Sequence, residues 1–428
     1  MPLRTGRIMR TSSSLSCNSS GSKGSSSPDI YVRRVQPSRD DSQLHLAPPF
    51  EVTHLYRTQE LVWLILENPI PVEIPGKSYL VRFWPGIVEG HNLSAAPTPG
   101  GDGVDPETNY HVKIVSLNRT YHVPQRFIAP FQTHSVEDEK LVQVRYERRC
   151  VDDLRGFDPF PQWLVRPGAP SPTSPPPAEP LLAVFSFDVR VAKMIASFWT
   201  VTESRDAGDT ISPTGPHNPK TILQPPDAPP LNPTIADSVS HRRFWWGAER
   251  VQPGDLLRLS FTESGFKYTV AASACFADGL NSTTTASQTQ SQGSMFLGLR
   301  TLIAVQGSPD KTKRSLHAAG QLYKLVPEIS SAKSERPKVR DEVGLPQPPE
   351  GYAFHRILAS DWEVQLSLRF VRGRYYPQLK RMLGDSTRLS SSLLQTMEGL
   401  AVCVTATPRY NVTESREETV QRVKLIAS

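Results

Sequence analysis

One stretch near the end of the chain restricts its architecture more than any other. Trp362, Val364, Leu366, Leu368 and Phe370 alternate strictly with Glu363, Gln365, Ser367 and Arg369. A period of two places the apolar set on one side of a strand and the polar set on the other. Trp362 to Val371 therefore reads as one strand of an antiparallel sheet with a core face and a wet face.

Other segments repeat the message. Leu61 to Leu66 is a continuous apolar run bounded by Glu67-Asn68-Pro69, which suits a strand buried on both faces. Tyr79 to Val88 reads as the next strand, bent sharply at Pro85-Gly86. Tyr110, Val112 and Ile114 alternate with His111 and Lys113, and Phe127 to Phe131 closes this unit. Further on, Pro253-Gly254-Asp255 makes a turn into Leu256 to Phe261, followed by strands at Met295 to Val305 and Leu322 to Val326. One helix is expected after Asp385-Ser386, with Leu389, Leu393, Leu394, Met397 and Leu400 on one stripe and Gly399 at its end, flanking or plugging the second module. The fold class is mainly β with few helices: two small β-barrel-like modules joined by Pro-rich linkers.

Proline sets the divisions. The chain holds 40 prolines in 428 residues, nearly double the average share of about 5%, and they cluster in Gly168 to Pro180 and Gln224 to Pro233. Such stretches bury too little apolar surface to offset backbone ordering. The expected layout is an Arg/Ser-rich disordered tail over 1–48, a first β module over 49–165 of PWWP/Tudor-like type, and a Pro-rich linker over 166–239. That linker contains a strand-like segment at 181–200. A second module spans 240–405 with loop insertions at 262–292 and 330–349, and 406–428 forms a C-terminal tail.

Charge and chemistry exclude more than they assign. A net charge of +6 with an isoelectric point near 9.1 suits an acidic neighbour without the dense basic stripe of a dedicated DNA-binding domain. Cys17, Cys150, Cys275 and Cys403 stand too far apart for metal-ligand spacing. Gly76-Lys77-Ser78 echoes a phosphate-binding loop, but the glycine required at position 71 is Pro71. Neither a G-x-S-x-G elbow nor an H-E-x-x-H pair is present. The most apolar window, Leu181 to Trp199, is interrupted by Asp188, Arg190 and Lys193, so no transmembrane helix is expected. The sequence leads us to expect a non-enzymatic chain with no cofactor and no metal.

Two groups of residues are candidates for binding. Tyr56, Trp63 and Trp84 surround the first module's opening strands, where they either fill the core or form a cage for methyl-lysine, with Glu60 or Glu89 at its lip. Trp245 and Trp246 are consecutive, so in a strand they point to opposite faces. One is expected in the core, the other on the surface or under a partner. Arg369, Arg372, Arg374, Lys380 and Arg381, interleaved with Tyr375 and Tyr376, form the densest basic run. It is either a patch contacting DNA phosphates or a solvated rim in which Arg374 braces the module against Asp361 or Glu363.

Four phrases together carry a resemblance: Glu60-Leu61-Val62-Trp63, Trp84-Pro85-Gly86-Ile87-Val88, Trp246 to Leu259, and Gly373-Arg374-Tyr375-Tyr376-Pro377. In this order they resemble the fungal cryptic loci regulator 2 family of transcription-silencing proteins, over roughly residues 50 to 405. The resemblance implies a non-enzymatic subunit of SHREC, a repressor complex of nuclear heterochromatin that pairs a histone deacetylase with a remodeller and a zinc-finger scaffold. It also implies a methyl-CpG-binding-like alternative for the first module, a C-terminal module similar to a bromo-adjacent homology domain, and DNA or histone tails as further partners. A histone-tail reader acting through the aromatic cage is the alternative.

Overall fold

The computed structural model describes residues 30–34, 55–74, 77–93, 108–114, 116, 119–133, 178–201, 239–241, 243–263, 266, 294–306, 314–328, 345–358, 362–383, 391–401 and 408–410. Three antiparallel or mixed sheets account for most of them. All four cysteines and the segment Leu141 to Tyr146 lie outside the described residues.

The first sheet contains β2 (Leu61–Ile74), β3 (Lys77–Leu93), β4 (Thr108–Ile114), β5 (Arg119–Pro124) and β6 (Ile128–Pro130), in the order β5-β4-β3-β2-β6. Strands β5 and β6 sit at opposite edges, yet only the 3-10 turn Gln125–Phe127 separates them in the chain. Four backbone steps reach at most about 14 Å, so the sheet must curl until its edges approach. The edges do not pair, and the result is a curled open sheet rather than a closed barrel. The expected bend at Pro85-Gly86 is absent: Pro85 lies in register with Trp63, and the irregularities fall at Ile65/Ile70 and Val88/Gly90. Gly86 serves packing instead, since a Cβ there would stand 2.5 Å from Val112 Cγ1.

The segment read as strand-like at 181–200 is mostly a helix, α1 (Ala178–Ala196), lying against β2 and β3. Leu181, Val184, Phe185, Val189, Val191 and Ile195 are all buried, so apolar side chains wrap nearly around it. Burial on several sides erases the 3.6-residue stripe, and Val and Phe carry strand propensity. Its length of 19 residues was the better guide. Only Phe198–Val201, β7, is a strand.

The large sheet is built on β12 (Met295–Gln306) and β13 (Arg314–Pro327), which pair along nearly their whole length. One end of β12 meets β11 (Leu256–Leu259) and the other meets β8 (Val239–His241). Strand β13 likewise divides itself between β15 (Trp362–Ser367) and β14 (Tyr352–Arg356). The two long strands touch closely at Gly320, where a Cβ would come within 1.9 Å of the Gly298 carbonyl. The alternating stretch is a strand only to Ser367. The chain then makes a 3-10 turn at Leu368–Phe370 and returns as β16 (Val371–Arg374) beside β11. Val364, Leu366 and Leu368 are buried as the alternation requires. Glu363, expected on the wet face, is instead buried where β15 is covered along its edge by β1, and Trp362 and Phe370 are only half-buried.

A small third sheet, in the order β10-β9-β7-β17, contains β9 (Phe244–Trp246), β10 (Glu249–Val251) and β17 (Arg409–Tyr410). It corrects two sequence expectations at once, because β7 comes from the proline linker and β17 from the C-terminal tail. The N-terminal tail is corrected as well. Ile30–Arg34 forms β1 on the edge of β15, with Ile30 buried.

A short helix, α2 (Leu379–Leu383), precedes the expected C-terminal helix, which is present as α3 (Ser391–Met397) and is ended by Gly399 as the sequence indicated. Its expected first residues, 385–390, lie outside the described residues. Leu379, Leu383, Leu394 and Met397 join the apolar cluster of the first sheet and α1. Gly399 adopts φ +70 against the Phe296 ring of the large sheet. These helices clamp both sheets rather than plugging the second module.

Candidate functional site

Every candidate aromatic is inside. Tyr56, Trp63, Trp84, Trp245 and Trp246 are 3% exposed or less, and the polar atoms of the first three are used within the core. The Tyr56 hydroxyl donates to the Ile128 carbonyl at 2.8 Å, and Trp63 Nε1 donates to the Phe131 carbonyl at 2.7 Å while stacking on the Phe131 ring. Trp84 Nε1 donates to Asp188 on α1 at 2.8 Å. A methyl-lysine cage needs ring faces open to solvent, and these rings offer none. Trp245 and Trp246 do face opposite ways, but both sides of β9 are covered within the chain. Trp246 enters the large sheet's core, and Arg250 lies over Trp245 at 5.9 Å.

The geometry that matters is a buried charged joint between the first sheet and the other two. The turn before β2 turns on Gln59, at φ +69, and delivers Glu60, which is 1% exposed. Arg374, at the end of β16, donates to Glu60 Oε2 at 2.8 Å and to the Leu55 carbonyl at 3.2 Å. Glu60 also accepts from the backbone amides of Arg57 and Arg250, at 2.9 and 2.8 Å. Arg57 holds Asp255 with both guanidinium nitrogens, at 2.7 and 2.5 Å, the bidentate geometry that arginine favours. Glu249 accepts from the Arg374 amide at 2.6 Å and from the Tyr376 hydroxyl at 3.1 Å. Arg258 completes the set, donating to the carbonyls of Arg374 and Arg372 and to Gln132 Oε1.

Isolated, each of these charges would be costly to bury; together they satisfy one another. Burial on its own would weaken the hold of Arg374 on its proton, but Glu60, with Tyr376, Asp255 and Glu249, more than offsets it and raises the guanidinium above its ordinary value. Burial pushes the Glu249 carboxyl up, and Arg258 and Arg374 draw it back. The hydroxyls of Tyr56 and Tyr376 are raised well above the usual phenol value by burial.

The basic run is thereby divided. Arg374 is withdrawn from any DNA surface: it braces the fold, as one sequence reading required, but its ion pair is with Glu60 rather than Glu363, and Asp361 lies outside the described residues. Arg369 is exposed above the Phe370 ring, and Arg372 is half-buried with Nη1 donating to the Arg369 and Val371 carbonyls. Lys380 and Arg381 are exposed on α2, away from that pair along the chain. Tyr375 and Tyr376 are buried.

A further buried carboxylate, outside the joint, ties α1 to the first sheet. Asp188 accepts from Trp84 Nε1, from the Ser116 amide at 2.9 Å and from the Ser116 hydroxyl at 2.7 Å. Burial raises its carboxyl from 3.8 to about 7, against the pull of these donors. Between about pH 4 and pH 7 the folded chain thus keeps a proton that the unfolded chain has lost. Stability should fall as pH rises through that window, by on the order of 2–4 kcal/mol, and level off above it. Urea midpoints at pH 5 and pH 7.5 check this: Asp188→Asn should lack the component of the slope that the parent shows, and identical slopes would refute it.

The joint residues Arg57, Glu249, Asp255 and Arg258 were not among the sequence candidates. The one visible signal was Arg258, a lone charge between Leu257 and Leu259 in an otherwise apolar strand. Among the described residues no group of three or more His, Cys, Asp or Glu side chains could hold a metal ion, and no helix is long and apolar enough to cross a membrane.

No family model matches the chain, and no curated protein matches it. Among solved structures it is similar to that of Clr2 bound to the Clr1 C-terminus, at 14% identity and a TM-score of 0.41. The match covers 89% of this chain and 60% of the other, so this chain spans less than two thirds of that one. A likeness at this level decides neither fold nor function.

Proposed function

We propose that the chain is a non-enzymatic subunit of a nuclear chromatin-silencing assembly, a scaffold for a complex that unites a histone deacetylase with a remodeller. One observation carries this reading. The phrases on which the family resemblance rests are spread widely along the chain, with Glu60 and Arg374 separated by 314 positions, yet they supply the joint: Glu60 from the first, Glu249, Asp255 and Arg258 from the third, and Arg374 and Tyr376 from the fourth. The second phrase pairs with the first across β2 and β3. Residues spent on holding three sheets together are what a scaffold requires, and their carboxylates are engaged by guanidinium groups, backbone amides and the Tyr376 hydroxyl within the joint.

Affinity purification from native nuclei tests the proposal. Recovery of deacetylase and remodeller subunits is the expected result; their absence under conditions that preserve the complex would count against it. DNA contact, in this reading, falls to exposed Arg369 and the half-buried Arg372 beside it. Duplex binding should weaken with salt, and Arg369→Glu with Arg372→Glu should reduce the slope of log K against log salt by about 0.9 per lost phosphate contact. Unchanged slope and affinity in the folded double variant would leave this pair as plain solvated surface.

A further inference from the structure

A groove of about 1030 Å3 opens between the β13–β14 end of the large sheet and the C-terminal helices. Pro346, Pro348 and Pro349 form one wall, fixed by the Tyr375 hydroxyl donating to the Gln347 carbonyl at 2.9 Å. Beneath it Phe296, Phe354 and Tyr375 pack edge to face, with centroids 5.4 to 5.6 Å apart, which makes the floor rigid. Half-buried Tyr352 turns part of its ring toward the opening. The charges come from two sides: Glu328 and Glu350 from the ends of the β13–β14 pair, and exposed Lys380 and Arg381 from α2.

We propose that this groove docks an extended, proline-containing peptide of a protein partner, one bearing an acidic side chain for Lys380 and Arg381 and a basic one for Glu328 and Glu350. The proposal rests on the scaffold reading and names one of its docking surfaces. Charge complementarity decides the class of occupant. Three carboxylates, those of Glu328, Glu350 and Glu398, line the groove with only two cations, so a polyanion such as DNA is repelled more than it is held. The wall decides the conformation. Prolines have no N–H to donate, which excludes addition of a peptide strand along that side. A polyproline II segment needs no such pairing and packs well on aromatic and proline surfaces.

A phage-displayed library of random dodecapeptides, selected on the whole chain, tests the proposal. Enriched peptides should combine proline with both an acidic and a basic residue, and synthetic copies should bind in fluorescence anisotropy. Binding should weaken at least tenfold with Lys380→Glu plus Arg381→Glu, and again with Tyr352→Ala, in variants that keep the parent's melting temperature. Lack of enrichment overturns the proposal, as does equal binding to parent and variants, or displacement of the peptides by duplex DNA. Nuclear purification separates this failure from that of the scaffold reading. If selection fails while deacetylase and remodeller subunits are still recovered, the groove assignment falls and the scaffold stands.

Discussion

Arg374→Ala should destabilise the chain by about 3–5 kcal/mol, the usual cost of removing one partner from a buried ion pair. Glu60, 1% exposed in the parent, would lose its guanidinium partner and keep two backbone amides, and Tyr376 would lose the cation above its ring at 5.2 Å. Arg374→Lys is the informative control. Lysine restores the charge but not the reach to both Glu60 and the Leu55 carbonyl, so it should recover only part of the loss. Guanidinium chloride melts of the three proteins check the order. A loss below about 1 kcal/mol for alanine would mean that the pair is solvated like an ordinary surface salt bridge.

Trp84→Ala should cost as much or more. The ring is fully buried, packs edge-on against Phe185 of α1 with centroids 5.1 Å apart, and supplies one of the donors to Asp188. Removing it opens a cavity worth about 3–5 kcal/mol and takes a hydrogen bond from a buried carboxylate, adding about 1–3 kcal/mol. Trp84→Phe separates the two contributions, since it fills most of the space and loses only the donor. Thermal melts should rank the parent above Phe and Phe above Ala. If Phe and Ala melt together, the hydrogen bond rather than the packing fixes α1.

Both effects concern residues whose type was legible in the sequence and whose place was not. The strand segments around Leu61, Tyr79, Tyr110, Leu256, Met295 and Trp362 can be read from alternation and apolar runs, because a half-buried sheet imposes period two on its side chains. Helix α1 was misread because a helix buried on most sides has no stripe. β1 and β17 were missed because five- and two-residue strands on sheet edges carry too few residues for a pattern. The joint was illegible for another reason. Glu60 and Arg374 are 314 positions apart, and nothing local to either residue marks the other as its partner. The same distance hid how the aromatics are covered: Trp84, beside Pro85-Gly86, is closed off by α1 from the supposed linker, and Trp246 by the core of the large sheet.

The central claim is that the described sheets form one interlocked body, joined by buried charges and by α1, α2 and α3. Denaturant unfolding followed in parallel by tryptophan fluorescence and far-ultraviolet circular dichroism tests it most directly. An interlocked body should unfold in a single transition, with coincident midpoints from both probes, and Arg374→Ala should shift that midpoint as a whole. Two separated transitions, with only one of them moved by Arg374→Ala, would contradict it.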